Sequence, residues 1–340
     1  MTGNRTFRHH NTSLLSITGM EAPRVIQSQH IQEQLEPVLN RLHLPATLLE
    51  RVAGVHERRW WDHTMAFDDA AVHVGAKAIA EAGIEPSEVG MLINSSVTRK
   101  HLEPSVAVKV HHGLGLPSSA MNFDIANACL GFVNAITLAA TMIDAGQIRY
   151  AVVVDGEDSE DAQRATIDRL LRPGVTRADF NNEFATLTLG SGAAAAVLGP
   201  TSEHPGAHSV KGGITRAASQ HYDVCVGDVS GMRTDTKLLL EGGMELVVDA
   251  WNEAKDEWNW SDMDRYVMHQ VSNVHTSAIL NAVSIDRAKV PLTYPHFGNV
   301  GPASLPLTLA GEADSLGSGD RVLCMGVGSG LNTAMTEIEW

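Results

Sequence analysis

The chain has 340 residues and a formal net charge of -15, which disfavours nucleic acid and anionic membranes as partners and leaves any anionic ligand to a local basic patch. Its length allows a large core, read here as two similar halves of one compact unit. Three cysteines without CxxC spacing, Cys129, Cys225 and Cys324, fit a reducing cytoplasm and a chemical role for one or two of them at most. No continuous apolar run opens the chain as a signal peptide would, and no stretch approaches the roughly 20 apolar residues of a membrane span. The expectation is a cytoplasmic protein. Sixteen histidines raise a metal hypothesis. His9-His10 reads as part of a polar N-terminal tail, His111-His112 follows an apparent helix, and no HExxH or Cys/His ligand pattern occurs, so no metal is expected.

In chain order, residues 69–82 read as a helix that leads through Pro86-Ser87-Glu88 into the strand Val89-Gly90-Met91-Leu92-Ile93-Asn94. A strand-like run over residues 121–126 ends at the small-residue turn Ala126-Asn127-Ala128-Cys129. An apolar segment of helical period without proline follows, residues 131–145, and then the strand Tyr150-Ala151-Val152-Val153-Val154. Residues 158–180 are polar, charged and long for a connection between strands, and read as a cap over a channel or an oligomer contact. A Gly/Pro/Ser-rich link between Gly199-Pro200 and His208 separates a first half, residues 1–200, from a second, residues 201–340. The second half then repeats the first. A helix over residues 243–258 leads through Ser261-Asp262 into Tyr266-Val267-Met268-His269. Asn299 precedes an apolar segment that runs through Gly317-Ser318-Gly319 into Val322-Leu323-Cys324-Met325. Alternating helices and continuous apolar strands argue for sheets covered on both faces, so the predicted fold class is α/β, with two duplicated halves packed as five layers, α-β-α-β-α.

Cys129 falls where a strand hands over to a buried helix. Unpaired backbone N–H groups and the positive end of the helix dipole there favour thiolate over thiol. His269 and Asn299 also lie at or just after strand ends, where α/β sheets place their sites. If the halves pack about a pseudo-twofold axis, the three residues converge on one pocket. Singly, each has a plainer reading: an inert buried cysteine, a satisfied histidine, a turn asparagine. Arg58, Arg59 and Trp60 offer phosphate pairing and stacking on a flat ring, or else solvated charges.

Six motifs in order carry a family resemblance from about residue 15 to the C-terminus. They are Ala53-Gly54-Val55-His56-Glu57-Arg58-Arg59, the stretch Asp124-Ile125-Ala126-Asn127-Ala128-Cys129-Leu130-Gly131-Phe132, Leu189-Gly190-Ser191-Gly192-Ala193-Ala194-Ala195, His269-Gln270, Gly298-Asn299 with Ala303-Ser304, and Gly326-Val327-Gly328-Ser329-Gly330. The chain resembles the thiolase superfamily, and within it the ketoacyl-acyl-carrier-protein synthase III branch. The resemblance implies the thiolase fold and an acyl-thioester intermediate on Cys129. His269 and Asn299 would donate hydrogen bonds to the thioester carbonyl of a second substrate, and the backbone N–H groups of Cys129 and Gly330 would form the oxyanion hole for the first acyl group.

At His101-Leu102-Glu103-Pro104-Ser105 the chain departs from the fatty-acid initiators, in which an apolar aromatic commonly stands at the place of Glu103. Here it is similar to the head-to-head acyl-CoA condensing enzymes of olefin biosynthesis, whose loop glutamate removes an α-proton from an acyl-CoA. In that family the glutamate reaches the neighbouring subunit's site, so the resemblance implies a homodimer, and desolvation should strengthen Glu103 as a base. The segments Asn94-Ser95-Ser96-Val97, Val154-Asp155-Gly156-Glu157 and Gly301-Pro302-Ala303-Ser304 resemble the same branch. The activity implied is a non-decarboxylative Claisen condensation of two fatty acyl-CoA molecules to a 2-alkyl-3-ketoacyl-CoA. The partners implied are fatty acyl-CoA, whose nucleotide Arg58, Arg59 and Trp60 would then serve, and downstream olefin-pathway enzymes, with no metal or redox cofactor. The main alternative is a decarboxylative 3-oxoacyl-acyl-carrier-protein synthase III that uses malonyl-acyl-carrier protein. A degradative thiolase would need a second catalytic cysteine, but Cys324 lies two residues early for that motif and reads as core. Hydroxymethylglutaryl-CoA synthase, whose glutamate lies elsewhere in its chain, is a weaker match, and a non-catalytic acyl-binding member of the fold is the rival from another class. Cys225 receives no role.

Overall fold

The computed structural model describes residues 6–228 and 231–340. Each half builds a wing of sheet on a similar plan, parallel strands followed by two antiparallel ones. In the first wing Met121–Asp124, Val89–Asn94 and Tyr150–Glu157 run parallel, and Gly192–Pro200 and Thr12–Glu21 then add antiparallel. In the second, Arg265–Met268 and Arg321–Gly328 are parallel, and Asn332–Glu339 and His208–Ala217 add antiparallel. The wings join edge to edge where Ser13 and Leu14 pair with Ser209 and His208, so the strands form one continuous sheet of ten. The tenth is Phe7–Arg8, paired with Gly213 and Gly212. His9 follows it and is buried beside Asp144, so this part of the expected polar tail is packed against the fold.

Helices Gly131–Asp144 and Ser304–Glu312 fill the space between the wings. The first has no charged residue until Asp144, as a helix buried on more than one side requires. Its Phe132, Ile136 and Ile143 share a core with Ile93 and Val153 of one wing and Val267, Val322 and Ile338 of the other. Phe67–Ala82 and Val106–Gly113 cover the outer face of the first wing, and Thr236–Trp258 and Asn273–Val283 that of the second. The result is the expected five-layer stack. Residues 158–180 contain two helices, in Glu160–Leu170 and from Arg177 on, that place Ile167, Leu170 and Phe180 in a satellite core with Ile31, Leu35 and Leu49. Against this cap lies a hairpin, Cys225–Asp228 with Gly231–Thr234. Among the described residues no helix is long and apolar enough to cross a membrane.

Candidate active site

The nucleophile turn is shaped by close backbone approach. Ala128 takes φ 44, a left-handed conformation that costs an L-residue about 1 kcal/mol or more. Residues Ala128–Leu130 then form a single 3-10 turn that enters the helix Gly131–Asp144. Gly131 must be glycine, because a Cβ there would lie 2.9 Å from the Ser95 carbonyl oxygen. Cys129 thus occupies the position expected of it, at the N-terminal end of the central helix.

The strand Arg321–Gly328 brings the second wing to this turn. A Cβ on Gly326 would lie 2.9 Å from His269 Cβ, and one on Gly328 would lie 3.4 Å from the Cys129 backbone nitrogen. Two glycines at alternate positions of one strand therefore admit His269 and the Cys129 turn against the same face. Two residues on, Gly330 takes φ 130. Its turn is tied to the nucleophile turn by Asn332 Nδ2, which donates to Asn127 Oδ1 at 3.2 Å, and Asn127 Nδ2 donates to Asn134 Oδ1 at 2.6 Å.

Asn299 is held from three directions. Its N–H donates to the Thr188 carbonyl (2.9 Å), its carbonyl accepts from Gly190 N–H (2.9 Å), and its Oδ1 accepts from Gly301 N–H (3.0 Å). With the oxygen occupied, the side-chain NH2 is the free donor. The following turn, Gly301–Ala303, packs against Ala128–Leu130, so Asn299 joins the same neighbourhood.

His269 donates its backbone N–H to the Met325 carbonyl, while neither ring nitrogen has a partner. Burial pushes its pKa down to about 4, with His275 adding to the shift, so the imidazole is neutral at physiological pH. A neutral ring with one free N–H suits hydrogen-bond donation to a carbonyl. Cys129 departs from expectation. Burial pushes its thiol up to about 12, and Cys225 and Glu157 add to that, so the free chain holds a thiol. Loss of hydration is the largest cause, and the neighbouring Cys225, Glu157 and Asp155 push the same way, so burial outweighs the helix-end field.

Glu103 is on an exposed loop, and its neighbour Leu102 is 94% exposed. Residues 101–104 are all exposed, so within one chain Glu103 is open to solvent.

The reading of Arg58 and Trp60 as CoA ligands is corrected. Glu57–Trp60 is a strand paired with Arg24–Gln27, and alternation turns Arg58 and Trp60 inward. Arg58 is fully buried and donates to Ser28 Oγ (3.0 Å) and the Leu187 carbonyl (3.0 Å), and burial lowers its pKa to about 10. Trp60 donates Nε1 to Gln163 at 2.7 Å, and the guanidinium groups of Arg24 and Arg164 lie over its ring. Neither side chain is free for phosphate or adenine. Arg59 faces the other way and is paired with Glu57 at 3.1 Å.

The structure also presents groups to which sequence reasoning gave no chemistry. Asp155 and Glu157 are buried at the end of Tyr150–Glu157. Burial raises both carboxyls, Glu157 to about 7, although Glu157 accepts hydrogen bonds from Thr98 and Val97. A charged pair in an otherwise apolar strand was the available signal, but at a strand end it reads as solvent-facing. Cys225, whose Sγ lies 3.2 Å from Thr234 Oγ1, belongs to the hairpin on the cap. Cys324 is buried in its strand, and burial pushes its thiol up to about 12. Among the described residues no three His, Cys, Asp or Glu side chains gather as a metal ion would need.

Comparison with known proteins agrees with this architecture. Residues 62–199 match the model for the thiolase N-terminal domain, and residues 254–340 that for the C-terminal part of 3-oxoacyl-[acyl-carrier-protein] synthase III. The acyl-CoA:acyl-CoA alkyltransferase of Xanthomonas campestris is 42% identical over 97% of this chain and 99% of its own. That of Shewanella oneidensis is 35% identical over 94% and 96%. A β-ketoacyl-[acyl-carrier-protein] synthase III of Staphylococcus aureus is more distant, 25% identical over 86% and 89%. A crystal structure of Xanthomonas campestris OleA with bound lauric acid and lauroyl-CoA superposes with a TM-score of 0.95 at 41% identity, covering 97% of this chain and 99% of that one. Identity of this order over nearly the whole length settles the family: the chain belongs to the thiolase superfamily, among the acyl-CoA:acyl-CoA alkyltransferases.

Proposed function

We propose that this protein joins two fatty acyl-CoA molecules head to head by a Claisen condensation without decarboxylation. In the first step Cys129 Sγ attacks the thioester carbonyl of one acyl-CoA, the CoA thiolate leaves, and the thiol proton of Cys129 ends on the CoA sulfur. The backbone N–H groups of Cys129 and Gly330 stabilise the oxyanion. In the second step Glu103 takes an α-proton from a second acyl-CoA, whose carbonyl oxygen accepts hydrogen bonds from His269 and Asn299. The enolate carbon attacks the acyl group on Cys129, the Cys129 thiolate leaves, and the proton on Glu103 returns the sulfur to the thiol. The product is a 2-alkyl-3-ketoacyl-CoA. CoA thioesters are the substrates and no cofactor takes part. In this reading the protein is a cytoplasmic homodimer, with Glu103 reaching the site of the neighbouring copy, and olefin-pathway enzymes consume the product.

The observation that carries the reading is the pairing of a neutral His269 and a donor-bearing Asn299 at the Cys129 turn with a carboxylate on a projecting loop. Decarboxylation generates a carbanion without a base, whereas an unactivated acyl-CoA needs one. The test is incubation with a single long-chain acyl-CoA and no malonyl donor. A 3-ketoacyl product, lost in Cys129→Ala and Glu103→Gln, supports condensation of two acyl-CoA molecules. Stoichiometric CoA release, with turnover only when malonyl-acyl-carrier protein is added, would establish the initiating synthase instead.

A further inference from the structure

The loop between Asn94 and Val106 rises from the sheet as an arm gripped by carboxylates. Ser95 Oγ donates to Asp155 Oδ2. Val97 N–H donates to Glu157 Oε1 at 2.6 Å, and Thr98 donates both its N–H (3.1 Å) and its hydroxyl to Glu157 Oε2. Arg99 Nη1 reaches Asp124 Oδ2 at 2.8 Å, and Lys100 Nζ reaches Asp68 Oδ1 at 3.1 Å. Where the arm returns, Val106 and Ala107 N–H donate to the same Asp124 carboxylate at 3.0 and 2.9 Å. Residues 101–104 alone stand free and exposed at the tip, and Glu103 is among them.

Glu157 differs from the other anchors because it also faces the second wing. A Cβ on Gly301, in the turn after Asn299, would lie 3.4 Å from Glu157 Cδ. One buried carboxylate thus holds the rising limb of the Glu103 arm with three donors and abuts the turn that carries the Asn299 amide. Burying a carboxylate is costly unless its oxygens are satisfied, and here Oε1 and Oε2 are both engaged by the arm.

We infer that Glu157 is a positioning residue for the condensation step: its carboxylate sets the Glu103 arm and the Asn299 turn relative to each other. The inference rests on the proposed role of Glu103 and separates the two half-reactions. Acylation of Cys129 uses neither Glu103 nor the Asn299 amide. Removing the Glu157 charge from the neighbourhood of the Cys129 sulfur also opposes ionisation of that thiol less, so acylation is not slowed. Condensation depends on where the arm ends. Glutamine in this place has one acceptor oxygen for three donors, and its NH2 would face an N–H or hydroxyl of Thr98 or Val97.

The experiment measures two rates for the wild type, Glu157→Gln, Glu157→Asp and Thr98→Val. Intact-protein mass spectrometry follows acyl transfer to Cys129, and product analysis follows turnover with a single acyl-CoA. For Glu157→Gln the expected result is wild-type acylation with condensation reduced about 10- to 100-fold, the scale of misplacing a reacting group by an ångström. Glu157→Asp, which keeps the charge, falls less than Glu157→Gln. Thr98→Val, which removes one donor, shows the same split at smaller size. If acylation and condensation fall together, or condensation is unchanged in Glu157→Gln and Thr98→Val, the inference is overturned. The wild-type arm reads the underlying function separately: no product from acyl-CoA alone would remove the condensation reading itself, whatever the variants did.

Discussion

The two wings place the same strand in the same setting and end it in opposite ways. Tyr150–Glu157 and Arg321–Gly328 are both eight residues long and each runs parallel to one neighbour and antiparallel to the other. Counting from their first residues, Asp155 corresponds to Gly326 and Glu157 to Gly328. The adjacent strands follow suit: Asn94 pairs with Val154, and Met268 with Met325, so Ser95 corresponds to His269. In the first wing the position is closed, with Ser95 bonded to Asp155 and the next residues gripped by Glu157. In the second it is open, with glycines where the acids stand, and the vacated space holds the His269 ring and the Cys129 turn. One copy of the duplicated strand thus anchors a loop, and the other admits His269 and the Cys129 turn against its face. The asymmetry of the duplicated fold rests here on two side chains present in one wing and absent in the other.

This contrast can be broken from the pocket side or the anchor side. The largest effect comes from Cys129→Ala, which should abolish both the acyl adduct in intact-mass spectra and turnover. Next is Glu103→Gln, where Cys129 should still acylate while condensation falls about 10² to 10⁴-fold, the usual contribution of a general base. Closing the open end with Gly326→Ala puts a methyl group at 2.9 Å from His269 Cβ, so the ring must move. Displacing one oxyanion donor costs about 10² to 10³ in kcat, so condensation should drop by that order while the circular dichroism spectrum stays native. Normal turnover in Gly326→Ala would mean that the glycine serves packing alone.

The placement of Cys129, His269 and Asn299 around one turn was largely legible from the chain because its signals are local. A strand ending in small residues before an uncharged apolar helix marks Cys129, and His269 and Asn299 stand at the corresponding junctions of the repeat. The anchors were not legible. Asp155 and Glu157 read as the polar end of a strand, and only the packing of the loop after Asn94 and of the turn Gly301–Ala303 against them turns that end into interior. Arg58-Arg59-Trp60 misled for the converse reason. Three adjacent residues of a strand cannot all face one ligand, and alternation buries the first and third. The ionisation of Cys129 could not be read from position either, since the helix-end field and burial act in opposite directions and only the fold decides which is larger.

The smallest effect is on stability, where the two wings oppose each other. Buried His269 has its pKa lowered from 6.5 to about 4. Between those values the unfolded chain binds the proton and the folded chain does not, so this group makes the protein more stable as pH rises from about 4 to 6.5. Glu157 is raised from 4.5 to about 7. Between those values the folded chain holds a proton that the unfolded chain has released, so stability falls as pH rises from about 4.5 to 7, and Asp155, also raised, adds to that fall. Over the shared range, about pH 4.5 to 6.5, the rise from His269 opposes the combined fall from Glu157 and Asp155 and cancels only part of it. Denaturant midpoints across that range should separate them. In Glu157→Gln the falling contribution of Glu157 is gone and the slope of stability against pH should shift upward relative to the wild type. In His269→Asn the rising contribution is gone and stability should fall more steeply. Parallel profiles for the two variants would mean that neither group changes its protonation on unfolding, and the anchor would then be an ordinary ionised carboxylate rather than one held against its own burial.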